Sequence, residues 1–361
     1  MNIVFRVDAN LAIGSGHLMR CLTLAKAIRK IIEAEIFFAT KFDEPNFTEL
    51  IVSSGFNLLL LTAENHSNIN SNVSAWTQEQ DAILFENSFF LQGVLRIDIL
   101  IVDNYSLDRN WERSVKHFVN KLVVIDDLAI RKHVCDILID QNLALDYKIR
   151  YHNLVPKNCR LFLGISYLIL RDEFFNEFNY VEARTKLSKV LVFFGGVDKD
   201  NLSHKFISQV MPIMPCDISI RLVIGVANFN ADNIKKSCEF YKNIDCVEYG
   251  ENIAEMMMEA DLAIGAGGAT TGERIMMGLP SIVYSLAENQ VEISQYLHDI
   301  GLINYMGDQS EFDAESIILL IKRYVKYPEL LNAHSSRLLG VAKSQLSDLC
   351  DEIVSDRRFH E

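Results

Sequence analysis

Residues Ala260–Gln290 read ADLAIGAGGATTGERIMMGLPSIVYSLAENQ, and this stretch decides the fold. The run Leu262–Ile264 is short, apolar and of the buried-strand type, and it ends in the small residues Gly265-Ala266-Gly267-Gly268-Ala269. Thr270 or Thr271 can cap the helix that follows, and Gly278-Leu279-Pro280 closes it before a second apolar strand, Ser281–Ser285. Strand, glycine turn, helix, strand is the unit of a parallel sheet. Glycines at the strand end let backbone N–H groups approach an anion without Cβ interference. The positive end of the helix points to the same place, so the turn can hold phosphate without a basic side chain. Glu273, in the first helical turn, can accept both hydroxyls of a ribose diol; its plainer role is a helix-start charge.

The pattern repeats on both sides. Strand-like runs occur at Asn2–Asp8, Glu35–Thr40, Phe56–Leu61, Ile97–Asp103, Lys121–Asp127 and Ile137–Asp140, with helical periodicity between most of them. A second series begins at Lys189–Phe194 and continues through Asp217–Ile224, Asp245–Tyr249 and the opening stretch. Polar, Asn- and Ser-rich residues from Thr62 to Ser74 read as a surface loop, and Leu330–Val354 reads as one amphipathic helix. A chain of 361 residues built this way predicts two α/β domains, each a Rossmann-like doubly wound sheet, over residues 1–175 and 186–361.

Composition excludes several classes. The net charge of −13 and the lack of a basic run argue against nucleic acid and anionic membrane as partners. No run approaches the roughly 20 apolar residues of a membrane span. Seven cysteines, an odd number with no CxxC pair, fit reduced thiols in the cytoplasm. A soluble cytoplasmic protein without an obligate protein partner is expected.

Strands of the first half end in acid: Asp8, Asp103 and the pair Asp126-Asp127. In doubly wound sheets, ligands lie beyond these carboxyl ends, although aspartates there also cap turns. Gly14-Ser15-Gly16-His17 follows the first strand. It is no dinucleotide fingerprint, because Met19 stands where the third glycine would fall. The turn places His17 in the first turn of a helix, where the dipole disfavours a charged ring, so an uncharged imidazole able to take a proton is expected. In the second half, Gly195-Gly196 makes another strand-end turn. Asp198-Lys199-Asp200 has the spacing of a divalent-metal pair, but helix capping is the simpler reading, and neither metal nor cofactor is expected.

The motifs Arg6…Asp8…Ile13-Gly14-Ser15-Gly16-His17-Leu18-Met19-Arg20-Cys21, Val102-Asp103-Asn104-Tyr105, Asp126-Asp127-Leu128, Leu170-Arg171, Phe194-Gly195-Gly196-Val197-Asp198, Gly265-Ala266-Gly267-Gly268…Thr271…Glu273 and Glu288-Asn289-Gln290 occur in order. In these the chain resembles the UDP-2,4-diacetamido-2,4,6-trideoxy-β-L-altropyranose hydrolases of pseudaminic acid synthesis. More widely it resembles the inverting GT-B glycosyltransferases. One departure is Gly272, where that family usually carries an aromatic residue.

The resemblance implies two domains facing across a cleft, and cleavage of a UDP-sugar at C1 with water as acceptor. His17 is then the catalytic residue, with Asp8 and Tyr105 as candidates for orienting the water. The substrate is expected to meet Gly14, Gly16, Arg20, Asp103, Gly195, Gly196, Asn252, Ile253, Gly267, Gly268, Thr271, Glu273, Asn289 and Gln290. Among these, Asn252-Ile253 would read uracil through the backbone and Asn289 would lie near the sugar. The alternatives are a GT-B glycosyltransferase with a sugar or lipid acceptor, and a non-catalytic nucleotide-sugar binding protein.

Overall fold

A computed structural model describes residues 1–355 except 11, 12, 15, 64–75, 92, 94 and 251. Most of the expected loop over Thr62–Ser74 and the polar tail therefore lie outside the described residues.

The first unit is organised on β1 (Asn2–Val7), whose side chains after Asn2 are all buried. Burial on both faces is what a central parallel strand requires. Around it run β2 (Glu35–Thr40), β3 (Asn57–Leu60), β4 (Ile97–Asp103), β5 (Val119–Ile125), β6 (Ile137–Asp140) and β7 (Arg160–Leu163). They form a parallel sheet in the order β3-β2-β1-β4-β5-β6-β7. Crossovers include α1 (Gly16–Ile31), α2 (Pro45–Ser53), α3 (Gln78–Phe90) and α4 (Arg109–Val115). The α3 helix starts at a capping box, in which Thr77 and Gln80 each bond the other's backbone N–H. An aromatic cluster packs this face: Phe85 lies edge-on to Phe89 and Trp111, with ring centroids 5.1 and 5.2 Å apart.

Arg6 is buried in the middle of β1. Its guanidinium bonds Asp8 at 2.6 and 3.1 Å and Asp81 of α3 at 2.6 and 3.2 Å. Trp111 Nε1 donates to Asp81 at 2.8 Å. A charge this deep is tolerated only when it is paired and its donors are used.

The second unit begins near α5 (Asp172–Phe178). It contains β8 (Lys189–Phe193), α6 (Leu202–Lys205), β9 (Ser219–Ile224), α7 (Ala231–Cys238), β10 (Ile244–Glu248) and α8 (Ile253–Glu259). There follow β11 (Leu262–Ala266), α9 (Thr270–Met276), β12 (Ser281–Ser285), α10 (Val291–Asp299), β13 (Asn304–Asp308), α11 (Ala314–Lys326) and α12 (Pro328–Val341). The strands are parallel, in the order β10-β9-β8-β11-β12-β13. Arg184, also buried, donates to the carbonyls of Met257 and Met258 in the last turn of α8, of Ala260 just after it, and of Met277 just after α9. It thereby serves as a shared C-terminal cap, and burial lowers its pKa to about 10.

Three expectations need correction. β7 and β13 are additional strands at sheet edges. The helix expected over Leu330–Val354 is two helices, α12 and α13 (Leu346–Val354), with Ala342 extended between them. Against the expected division into 1–175 and 186–361, the described residues from Ser344 on cluster with the first unit, and Leu143–Leu145 and Leu170–Lys343 form the second. The physical reason is that Lys121 of β5 donates to the carbonyls of Glu352, Ile353 and Ser355, at 3.3, 2.9 and 2.5 Å. An ammonium is well placed at the negative end of a helix. Among the described residues no helix is long and apolar enough to cross a membrane.

Replacing Arg6 by Met keeps the volume but leaves Asp8 and Asp81 buried without their cation. The expected loss is about 3–5 kcal/mol of stability, read from urea unfolding of the full chain. Asp81→Asn leaves Arg6 paired with Asp8 and should cost less; equal stability of Arg6→Met and the parent would remove the cluster from the account of the fold.

Candidate active site

At the carboxyl end of β4, Asp103 is buried and accepts from three residues of α1: His17, Arg20 and, at 3.5 Å, the Cys21 thiol. His17 and Arg20 are three apart on one helical face. His17 Nδ1 lies 2.6 Å from Asp103 Oδ1, while Arg20 donates Nε to Oδ2 at 2.5 Å and Nη2 to Oδ1 at 2.6 Å. Burial opposes the charge on Asp103, but Arg20 and His17 outweigh it and hold the carboxyl far below the usual carboxylate range. An ionised carboxylate only accepts, so Nδ1 of His17 carries a hydrogen, and in the neutral ring the lone pair is then on Nε2. A base oriented by a third group in this way is the arrangement used to activate a nucleophile.

Asp127, beyond β5, joins the same cluster. It accepts from Arg20 Nη1 at 3.0 Å and from the Tyr105 hydroxyl at 2.6 Å. The Tyr105 ring stands edge-on to the His17 ring, with centroids 4.5 Å apart. Burial, then the Asp127 charge, pushes the Tyr105 phenol well above its ordinary range, so it stays a donor. Arg131 braces this loop from below, donating to the carbonyls of Asn104 and Leu107, both at 2.8 Å, and to Asp126. Gly14 has φ +84° and donates to Asn10 O at 2.7 Å; a Cβ at Gly14 or Gly16 would meet nothing within 4 Å.

Asp8 differs from the expectation. Besides Arg6, its oxygens accept from Thr40 Oγ1, Lys41 N and Asn104 Nδ2. It is buried, and it makes no hydrogen bond to His17, Arg20, Tyr105 or Asp127 among the described residues. Asp103 acts through His17 and Arg20. Asp127, absent from the expected site list, was visible only as one of the strand-end acids.

In the second unit the glycine turn after β11 is present, with differences in detail. Gly267 N–H donates to Tyr284 O at 2.9 Å and is therefore spent. The N–H groups of Gly268, Ala269 and Thr270 make no hydrogen bond among the described residues. Three successive unpaired N–H groups are a set of anion donors. Neither threonine caps α9; Ala269 takes that position without a side-chain bond, and Thr271 is buried instead. Gln290 lies beside the turn, with Nε2 3.6 Å from where a Cβ on Gly268 would sit. Its Oε1 accepts from Leu286 N at 2.9 Å, and Asn289 is exposed next to it.

Glu273 Oε1 stands 3.6 Å from Arg171, and its buried Oε2 has no hydrogen-bond partner. Burial raises its pKa, with Arg171 and Arg274 opposing. Tyr249, after β10, stacks on Phe193 with centroids 5.1 Å apart, and Arg171 lies 5.6 Å from the Tyr249 ring. Asn252 precedes α8; the Ile253 side chain is core, which leaves only its backbone for recognition. Gly195 has φ +96°, and Gly225 fits under the Gly195-Gly196 turn because a Cβ there would fall 2.4 Å or less from both carbonyl oxygens. Asp198 spends both oxygens on the N–H groups of Leu202 and Ser203, at 2.8 and 2.9 Å, which is the capping role.

The model of the glycosyltransferase family 28 C-terminal domain matches residues 190–353. The chain is similar to an uncharacterized protein of Methanocaldococcus jannaschii, at 26% identity over 87% of this chain and 62% of that protein's length, so it spans under two thirds of that relative. It is similar to the UDP-2,4-diacetamido-2,4,6-trideoxy-β-L-altropyranose hydrolase of Campylobacter jejuni, at 26% identity over 83% of this chain and 97% of the relative. Among solved structures, MurG of Acinetobacter baumannii aligns with a TM-score of 0.68 over 98% of this chain and 99% of its own, at 13% identity. The fold is the GT-B fold of two Rossmann-like units.

One acid near the cluster has a measurable consequence. Asp140 ends β6, where Tyr151 bonds both Asp140 and Asp126. Burial dominates and raises Asp140 to about 7, against Asn142 N–H and Arg150. A folded pKa above the unfolded value of about 3.9 gives stability that is complete below about pH 4 and lost as pH rises through 7. The expected loss between these limits is on the order of 2–4 kcal/mol. Asp140→Asn should flatten the urea-unfolding stability between pH 4 and 8; an unchanged slope would place the titration elsewhere.

Proposed function

We propose that the protein hydrolyses a UDP-linked 2,4-diacetamido-2,4,6-trideoxy sugar at C1, releasing UDP and the free sugar for pseudaminic acid synthesis. The observation that carries this reading is the His17–Asp103 pair, found in a chain similar to the Campylobacter jejuni hydrolase over nearly that enzyme's whole length.

In the proposed step, Nε2 of His17 takes a proton from water as its oxygen forms a bond to C1. The C1–O bond to the diphosphate breaks with its electron pair on UDP, and configuration inverts. Asp103 fixes the tautomer that leaves Nε2 open, and it faces the imidazolium that forms. Arg20 and Tyr105, joined through Asp127, set the surroundings of the ring.

The second unit supplies the nucleotide grip: N–H groups of Gly268, Ala269 and Thr270 for the diphosphate, and Glu273 for the ribose diol. The backbone at Asn252-Ile253 reads uracil, and Asn289 and Gln290 read the acetamido groups. Donors fixed in advance toward the leaving diphosphate stabilise the charge that develops there. A glycosyltransferase is the second reading, favoured by the match to the family 28 C-terminal domain, which covers the nucleotide-binding half. A binding protein without turnover is the third, with Gly272 as its motive.

Incubation of the nucleotide sugar alone separates these readings. The hydrolase releases UDP with no acceptor present; release only on adding an acceptor supports the transferase, and UDP binding without turnover supports the third reading. His17→Asn and His17→Phe should leave UDP affinity nearly intact and lower turnover by about 10²–10⁴-fold, whereas parental turnover in either would remove His17 from the chemistry. Turnover should persist in excess EDTA. Loss reversed by Mg²⁺ would return Asp198 and Asp200 to consideration as a metal pair.

A further inference from the structure

Arg274 lies on the buried side of α9, beside Thr271, Ile275 and Met276. It is 3% exposed, and no carboxylate among the described residues pairs with it. Glu273, its sequence neighbour, faces Arg171 at 3.6 Å, and Arg171 also pairs with Glu173 at 2.7 Å. The Arg274 contacts all go to the glycine turn. Nη2 donates to Ala266 O at 2.6 Å and to Thr271 Oγ1 at 2.8 Å, and Nε has no partner. The fit requires Gly265, since a Cβ there would stand 2.7 Å from Arg274 Nη1 and 2.2 Å from Phe193 O. The guanidinium therefore lies directly against the segment that precedes the unpaired N–H groups of residues 268–270.

The one opposite charge felt by this cation is that of Glu273, which forms no ion pair with it and faces Arg171 instead; a buried cation so weakly compensated is costly. Burial has already lowered its pKa to about 10, so it remains charged at neutral pH.

We propose that Arg274 is a positioning residue of the nucleotide site: it ties Ala266 to Thr271, and its charge is balanced by the diphosphate bound at Gly268–Thr270. This rests on the reading of the second unit as a UDP site. The arginine does not touch the ligand. It holds the turn in shape and supplies a positive field from behind it, within a low-dielectric surrounding where a charge acts over several ångströms. The acidic chain thereby gains a local site for an anion without exposing a basic surface.

The test is calorimetric titration of the full-length parent, Arg274→Met and Arg274→Lys with uridine, UMP and UDP, at low and moderate salt. Parental affinity should rise along the series as phosphate charge is added. In Arg274→Met that rise should collapse, with UDP weakened about tenfold or more and uridine by far less. Arg274→Lys retains the charge and should recover most of the UDP-over-uridine preference.

An equal loss for all three ligands in Arg274→Met would overturn the electrostatic role and leave a purely structural one. Failure of Arg274→Lys to recover the preference, with its thermal unfolding unchanged, would also overturn it. If the parent binds neither UMP nor UDP, the nucleotide reading fails and takes this inference with it. If the parent binds UDP but does not hydrolyse the sugar nucleotide, only the proposed reaction fails.

Discussion

The buried carboxylate of Asp103 is the fixed point of the first unit's chemistry. It ends a central strand, so its backbone position is set by the β1–β4 ladder, and it is almost inaccessible to water. Burial alone would favour its neutral form. Two donors from one helix reverse that, and in return the charge fixes both of them. The tautomer of His17 and the place of Arg20 then follow from a single ion, and Tyr105 follows one bond further out through Asp127. Arg6 and Asp8 perform a parallel task one strand register away. Asp8, itself held by Arg6, accepts from Asn104 and so anchors the loop that begins where β4 ends.

The second unit solves a different problem with different means. On the proposed reading an acidic chain has to meet an anion, and its glycine turn offers backbone N–H groups in place of surface lysines. Such groups are effective only when the turn is rigid, because mobile dipoles reorganise at a cost. Rigidity comes from beneath: Gly267 is tied to the neighbouring strand through Tyr284 O, and Ala266 and Thr271 are tied to each other. Arg184 performs related work at the far ends of α8 and α9, where it gathers carbonyls that the helices leave unpaired.

Much of this was legible in the chain. Apolar runs alternating with helical periodicity gave the parallel sheets, because strands buried on both faces need unbroken Val, Ile, Leu and Phe. His17 and Arg20 share a helix face by spacing alone, and Arg6 and Asp8 share a strand face. What spacing could not reveal was which strand-end acid meets which cation. Asp8 and Asp103 look alike in sequence, and only the arrival of Asp81 and Thr40 on one side, and of α1 on the other, separates a scaffold group from a site group. β7 and β13 escaped notice because edge strands need only one partner and tolerate polar residues such as Asn304 and Asp308. The break between α12 and α13 is marked in sequence only by Gly340, the penultimate residue of α12. It follows from a distant bond, Gln345 N–H to Ser166 O at 2.7 Å. The spent N–H of Gly267 was hidden for the same reason, since its partner lies on the next strand.

The return of α13 has a practical corollary. Both the opening strand and the closing helix belong to one body, which makes Leu170–Lys343 an insert carried within it. A gene cut once, near residue 170, would yield an amino-terminal fragment stripped of the helix that Lys121 clasps and a carboxyl-terminal fragment trailing that helix with nothing to grip it. Dissection of this protein calls for two cuts, with the chain before Leu170 rejoined to the segment that begins at Ser344.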